Sequence, residues 1–189
     1  MDGRGMSLND VGGWFPEENR RNLERLITEL QVKTVLEIGS FLGLSAIWLA
    51  KRAERVTCVD RWFEPADHDS HNNLVATLRR FGIPKDFYHV FMSNVTEFGV
   101  ANKIFPVRGD SKKVHGQVGN HDLIYVDGDH SFDGCLGDLR LYGPKTERVI
   151  CGDDFLPEPE FGVIEAVQTY AREIGKELHS DGAFWWILK

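Results

Sequence analysis

The stretch TVLEIGSFLGLSAIWLAKR, residues 34–52, changes period part-way along. Thr34–Ile38 is a short apolar run of the kind found in strands buried on both faces. From Ser45 to Arg52 the spacing predicts a helix. Between the two lie Gly39 and Gly43, in the pattern G-x-x-x-G. Glycines there let the backbone turn sharply and come close to a ligand. The helix that follows points free N–H groups at an anion. The spacing is not the G-x-G-x-x-G of dinucleotide binders, and an ordinary strand-to-helix turn accounts for it as well.

Working outward, the same alternation repeats. Helices are expected at 17–30, 71–81, 86–100, 131–142 and 162–174. Strands are expected at 55–59, 103–107, 122–126 and 147–151, with a hairpin formed by 177–179 and 184–188 across Ser180-Asp181-Gly182. This pattern predicts an α/β fold: a mostly parallel sheet with helices on both faces and a C-terminal antiparallel hairpin. Residues 1–16, with Gly3, Gly5, Gly12, Gly13 and Pro16, read as a loose arm, and 17–189 as a single domain. Trp185 and Trp186 are adjacent on a strand, so one faces the core and the other faces away.

In parallel sheets ligands bind beyond the carboxyl ends of the strands. Here glycine and acidic residues collect after each of the five strands, at Gly39-Ser40, Asp60, Gly109-Asp110-Ser111, Asp127-Gly128-Asp129-His130 and Gly152-Asp153-Asp154. A merely stable fold needs no carboxylates there. Asp60 can accept two hydrogen bonds from a ribose diol, or stand as a solvated strand end. Asp110 and Ser111 suit a helix N-cap, a role compatible with ligand contact.

Taken together these segments resemble a known family. VLEIGSFLGLSAIWLA (35–50) and VRGDS (107–111) resemble the first and third-strand motifs of class I S-adenosylmethionine-dependent methyltransferases, in particular the catechol O-methyltransferase-like group. CVDRWFEPADH (58–68), YVDGDHSFDGCLGDLRLY (125–142) and CGDDF…FGVIEAV (151–167) resemble motifs of the related sugar O-methyltransferases. The resemblance spans Thr34 to Val167 and implies a Rossmann-like domain that binds S-adenosylmethionine. It implies that Glu37, Gly39, Ser40 and Gly43 line the methionine and ribose of the cofactor and that Ser45 touches the methionine carboxylate. Asp60 would hold the ribose, with Arg61 and Trp62 beside it. Asp110 and Ser111 would flank the adenine, and Asp127 would border the same cleft.

Transfer to a hydroxyl requires removal of a proton, by a base, by a metal ion or by both. Asp127, Asp153 and Asp154 offer hard oxygen ligands from two strand ends, a set suited to Mg²⁺ or Mn²⁺. These positions match the ligands of the metal-dependent members of the family. His130 stands three residues after Asp127, where the catechol enzymes place a lysine base, so His130 is the expected base and Asp129 its rival. Equally, Ser131 can simply cap the following helix, and GDDF can be a solvated strand end. His68 and His71 fall in the long connection 61–101, a place for acceptor contacts.

The net charge of −7 argues against a nucleic-acid coat and leaves a small-molecule partner. Cys58, Cys135 and Cys151 are odd in number and widely spaced, which argues against a disulfide framework or a structural zinc site; Cys58 and Cys151 sit in apolar strand-like runs and are expected as buried, inert thiols, and a reducing cytoplasm is the natural reading. No run approaches ~18 apolar residues and MDGRGMSLND has no apolar signal core, so a soluble protein without membrane contact is expected. The sequence does not indicate an oligomeric state. The leading reading is a metal-assisted O-methyltransferase acting on a small molecule, such as a sugar or natural product. Alternatives are a metal-independent N- or O-methyltransferase and a non-catalytic cofactor-binding module. A nicotinamide-dependent oxidoreductase is disfavoured by the glycine spacing.

Overall fold

The computed structural model describes residues 7–62, 87–158 and 161–189. The expected helix at 71–81, and His68 and His71 with it, lie outside the described residues. The strands are β1 (Thr34–Ile38), β2 (Arg55–Asp60), β3 (Ile104–Arg108), β4 (His121–Val126), β5 (Thr146–Gly152), β6 (Leu178–Asp181) and β7 (Phe184–Leu188). They form one seven-stranded sheet in the order β3-β2-β1-β4-β5-β7-β6. The first five are parallel, and β7 runs antiparallel to both β5 and β6. The expected α/β architecture and its closing hairpin are therefore present.

Alternation along the strands divides the core. Val35, Cys58, Leu123, Tyr125 and Val149 point to one face, which α1 (Glu17–Glu29), α2 (Leu44–Ala50) and α3 (Phe87–Glu97) cover. Leu36, Ile38, Val59, Ile124 and Ile150 point to the other, under α4 (Ser111–Val114), α5 (Phe132–Tyr142) and α6 (Val163–Ile174). Ile38 is level with Val59 on one side and Val126 on the other, and Val126 is level with Gly152. The carboxyl ends of β1, β2, β4 and β5 thus share one rim.

All seven residues of α2 are buried, so its outer side also needs a cover. Residues 7–16 supply it, contrary to the expectation of a loose arm. Val11 is buried and Phe15 is only 5% exposed, with its ring edge-on to Trp48 at 5.5 Å and Tyr125 at 6.3 Å. Apolar burial outweighs the flexibility of Gly12 and Gly13, which lie against Leu42 and Leu44.

The β6–β7 turn is tied to α1. Glu18 accepts the Ala183 N–H at 2.7 Å, and Asp181 accepts hydrogen bonds from Arg21 at 2.6 Å and Asn22 at 2.8 Å. Trp185 is buried, whereas the half-buried Trp186 stacks between Arg25 at 4.7 Å and His179 at 5.2 Å. Among the described residues no helix is long and apolar enough to cross a membrane.

A docked arm has a measurable consequence. Phe15→Ala should lower unfolding stability by about 3–5 kcal/mol in urea titrations. Trp14→Ala, at a residue 69% exposed, should change it by less than about 0.5 kcal/mol.

Candidate functional site

The turn after β1 is built on close contact. A Cβ added to Gly39 would stand 1.8 Å from the carbonyl oxygen of Asp127, and its φ of +91° is one that side chains rarely adopt. The Gly39 N–H donates to Val59 and the Asp127 N–H to Ile38, both at 2.9 Å, so the ends of β1, β2 and β4 are knitted together. Gly43, also at positive φ, starts α2.

Beneath this turn lies Glu37, fully buried, with neither carboxylate oxygen hydrogen-bonded. The buried hydroxyl of Ser40 is likewise unpartnered. Burial pushes the Glu37 carboxyl up to about 7; the nearby hydroxyls of Ser40 and Ser45 pull the other way, and the charge of Asp127 adds to the rise. Unsatisfied polar groups at such a position are costly unless a ligand completes them. Donors on an amino acid and a ribose would do so, which makes the cradle a fit for S-adenosylmethionine.

Asp60 accepts the Phe41 N–H at 2.8 Å on one oxygen and the Trp62 N–H at 2.7 Å on the other. Burial raises its carboxyl above the usual range, against the pull of those N–H groups. Each oxygen keeps a lone pair for a diol. Trp62 is buried: its indole N–H donates to Phe41 O at 2.8 Å and its ring packs on Phe91 at 4.7 Å. Arg61 beside it is exposed. Asp110 caps α4 by accepting the Lys112 N–H at 3.0 Å. Ser111 turns towards α5 and donates to Asp138 at 2.6 Å.

At the neighbouring strand ends Asp127, His130 and Asp154 converge, with one ligand atom from each lying within 4.8 Å of the others. His130 Nε2 is 2.9 Å from Asp154 Oδ2 and 3.8 Å from Asp127 Oδ1. Burial alone would lower the histidine pKa, but hydrogen bonding and attraction from the two carboxylates outweigh it and push it up to about 10. Near neutral pH His130 is therefore a cation. The φ of +60° at Asp154, tolerable for aspartate, accompanies this placement of its carboxylate beside the imidazole. The two carboxylates offer hard oxygen donors that fit a divalent cation, whereas His130 would have to lose its proton to join them.

Asp153, expected as a ligand, is not one of the three. Its Oδ1 accepts the Asp154 N–H at 2.8 Å, and burial, then the charge of Asp127, push its carboxyl up to about 7. Asp129 turns away from the cluster. Its carboxylate fills the space above Gly134 and accepts the Ser131 N–H at 3.0 Å. Burial raises its pKa, but the Ser131 bonds and Lys112 bring it below the usual range. Ser131 itself caps α5 through the Gly134 N–H at 3.1 Å.

Two residues of this neighbourhood escape sequence reasoning. Phe161 stands edge-on to His130 at 5.1 Å, and the Gly162 N–H donates to His130 O at 2.8 Å. The FGVIEAV motif contained Phe161 without indicating its contact. Asn19 of α1 donates to the Tyr125 hydroxyl at 3.1 Å across 106 residues, a contact that no local pattern signals.

Comparisons with known proteins identify the domain and its fold. A family model described as a methyltransferase domain matches residues 36–155. The O-methyltransferase from Bacillus cereus, in complex with SAH, has a TM-score of 0.68 at 14% identity over 96% of this chain and 86% of that one. The O-methyltransferase TomG from Streptomyces achromogenes, involved in tomaymycin synthesis and in complex with SAM, has a TM-score of 0.60 at 19% identity over 95% and 82%. A precorrin 8w decarboxylase from Methanobacterium thermoautotrophicum has a TM-score of 0.63 at 14% identity over 95% and 92%, so the shared fold does not fix the reaction. The comparison with curated proteins found no match.

The orphaned Glu37 predicts a pH effect. Its folded pKa of about 7 exceeds the ordinary 4.5. The stability it contributes is therefore complete below about pH 4.5 and lost as pH rises through 7. Glu37→Gln should flatten this fall by about 3 kcal/mol in denaturation curves measured from pH 4.5 to 8 without ligand.

Proposed function

The chain belongs to the methyltransferase-domain family, and from that membership we propose that it is an S-adenosylmethionine-dependent enzyme that methylates a hydroxyl of a small molecule with the help of a divalent cation. The observation that carries this reading is the adjacency of two features on one rim. One is the unsatisfied Glu37–Ser40 cradle, and the other is the Asp127–His130–Asp154 cluster.

When bound, S-adenosylmethionine supplies a methyl group on a sulfonium, open to in-line displacement by an oxygen nucleophile. Glu37, Gly39, Ser40, Gly43 and Ser45 would hold its methionine and ribose portions, Asp60 the ribose hydroxyls, and Asp110 and Ser111 the adenine edge. Arg61 and Trp62 keep the Asp60 loop in place, and Asp127 borders the methyl end. Asp127 and Asp154, with Asp153 close behind, would hold Mg²⁺ or Mn²⁺, whose charge acidifies an acceptor hydroxyl. His130 keeps its proton while the carboxylates of Asp127 and Asp154 stand beside it as counter-charges. Once those carboxylates are neutralised, its imidazole can accept the hydroxyl proton. Asp129, turned onto α5, is the weaker candidate. Phe161 forms an apolar wall beside His130 against which an acceptor can align.

One observation favours a metal-independent enzyme. His130 already pairs with Asp154 at 2.9 Å and partly neutralises the cluster without an ion. The net charge of −7 suits a small acceptor better than a nucleic acid. Three free, buried thiols suit a reducing cytoplasm.

Two measurements test the proposal. Asp60→Asn should weaken S-adenosylhomocysteine binding by about 1.5–3 kcal/mol in isothermal titration; unchanged affinity removes Asp60 from the site. Methyl incorporation from labelled S-adenosylmethionine into a panel of hydroxylated metabolites should vanish in EDTA and return with Mg²⁺ or Mn²⁺. Full turnover in EDTA would favour the metal-independent reading.

A further inference from the structure

Tyr125 is the penultimate residue of β4 and is level with Cys151 of β5, and both side chains point to the face that α1 covers. Asp127 and Asp153 follow two residues further along each chain, just beyond the paired Val126 and Gly152, on the side that alternation assigns to α1. Asn19, on the buried side of α1, closes the gap between helix and strand ends. Its carboxamide N–H donates to the Tyr125 hydroxyl at 3.1 Å, and both residues are fully buried. The carboxamide also hydrogen-bonds the carboxylate of Asp153, and the Tyr125 hydroxyl that of Asp127. Both bonds favour the charged carboxylate, so the amide and the hydroxyl are the donors. The chain of bonds therefore has one direction, from Asn19 to Asp153 and, through Tyr125, to Asp127.

This arrangement works against stability. With its N–H groups turned to Tyr125 and Asp153, Asn19 leaves its own Oδ1 buried without a partner. The ring of Tyr125 sits in apolar surroundings, with Phe15 edge-on at 6.3 Å. Leucine at 19 and phenylalanine at 125 would fill much the same space with no polar group to satisfy. The fold alone does not ask for this pair, and what the pair touches is the acidic cluster. We propose that Asn19 and Tyr125 are positioning residues of the cation site, which fix the direction of the Asp153 and Asp127 carboxylates before a divalent ion arrives. The inference rests on reading the Asp127–His130–Asp154 cluster, with Asp153 close behind, as a divalent-cation site. A free carboxylate gives up rotamer freedom when it binds an ion, whereas one already tied by a hydrogen bond has less to lose.

Mn²⁺ alone serves as the probe, with its binding to the full chain followed by electron paramagnetic resonance of the free ion at fixed pH. Tyr125→Phe keeps the ring and removes only the hydroxyl; it should weaken Mn²⁺ binding about 10–100-fold. Asn19→Leu should weaken it on the same scale. The double variant Asn19→Leu/Tyr125→Phe should show this loss of affinity and yet unfold in urea at or above the wild-type midpoint, because both buried partners have been replaced together. A merely structural role does not give that split between binding and stability. Wild-type Mn²⁺ affinity in Tyr125→Phe overturns the inference and leaves the cation reading standing. A double variant that loses stability and affinity together overturns it too. Failure of the wild-type chain to bind Mn²⁺ overturns the cation reading, and this inference with it.

Discussion

The ends of β1 and β4 approach so closely that the carbonyl of Asp127 occupies the space a side chain at position 39 would need. Main-chain bonds from Gly39 to Val59 and from Asp127 to Ile38 hold that approach, so three strand ends are fixed relative to one another by backbone alone. Everything polar on the rim hangs from it. Glu37 lies just behind the contact and Asp60 just across from it. Asp127 takes its direction from the peptide that makes it. Because the frame is backbone, the side chains it carries can be chosen for chemistry rather than for holding the sheet together.

That choice leaves a concentration of negative charge in poorly solvated surroundings. Burial raises the carboxyls of Glu37, Asp60, Asp127, Asp138 and Asp153 alike. His130 stands as a counter-charge to both Asp127 and Asp154. Such an arrangement works against stability and is what binding sites look like before their ligands complete them. The apolar layers on either side of the sheet offset the cost, with helices packed over both faces.

The sheet was legible in the sequence because each central strand is apolar on both faces. Thr34–Ile38 and His121–Val126 announce themselves by composition alone. The rim was legible because its carboxylates follow those runs directly. What could not be read was direction. Asp127 and Asp129 are two residues apart and chemically identical, yet one joins the cluster and the other folds onto α5, a difference set by the room above Gly134. Asp153 and Asp154 differ for a similar reason, since the left-handed backbone at Asp154 turns the chain there. Contacts that span long separations, such as Phe15 on Tyr125 or Ser111 with Asp138, leave no local trace. The packing of 7–16 was missed because its glycines speak of flexibility while the demand for a cover arises from α2.

The order of strands also constrains how the protein comes into being. β7 lies between β5 and β6, so until residues 184–188 have left the ribosome β5 remains an open edge, with the ladder positions of Val149, Ile150 and Cys151 unpaired. The hydrogen bonds from the β6–β7 turn to Glu18, Arg21 and Asn22 must wait as well, although α1 is made well before that turn. During translation the growing chain thus presents a sticky, half-built sheet whose earliest helix lacks its final partner. An unpaired strand edge is a template for wrong pairing, and closure of the β6–β7 hairpin onto β5 removes this one.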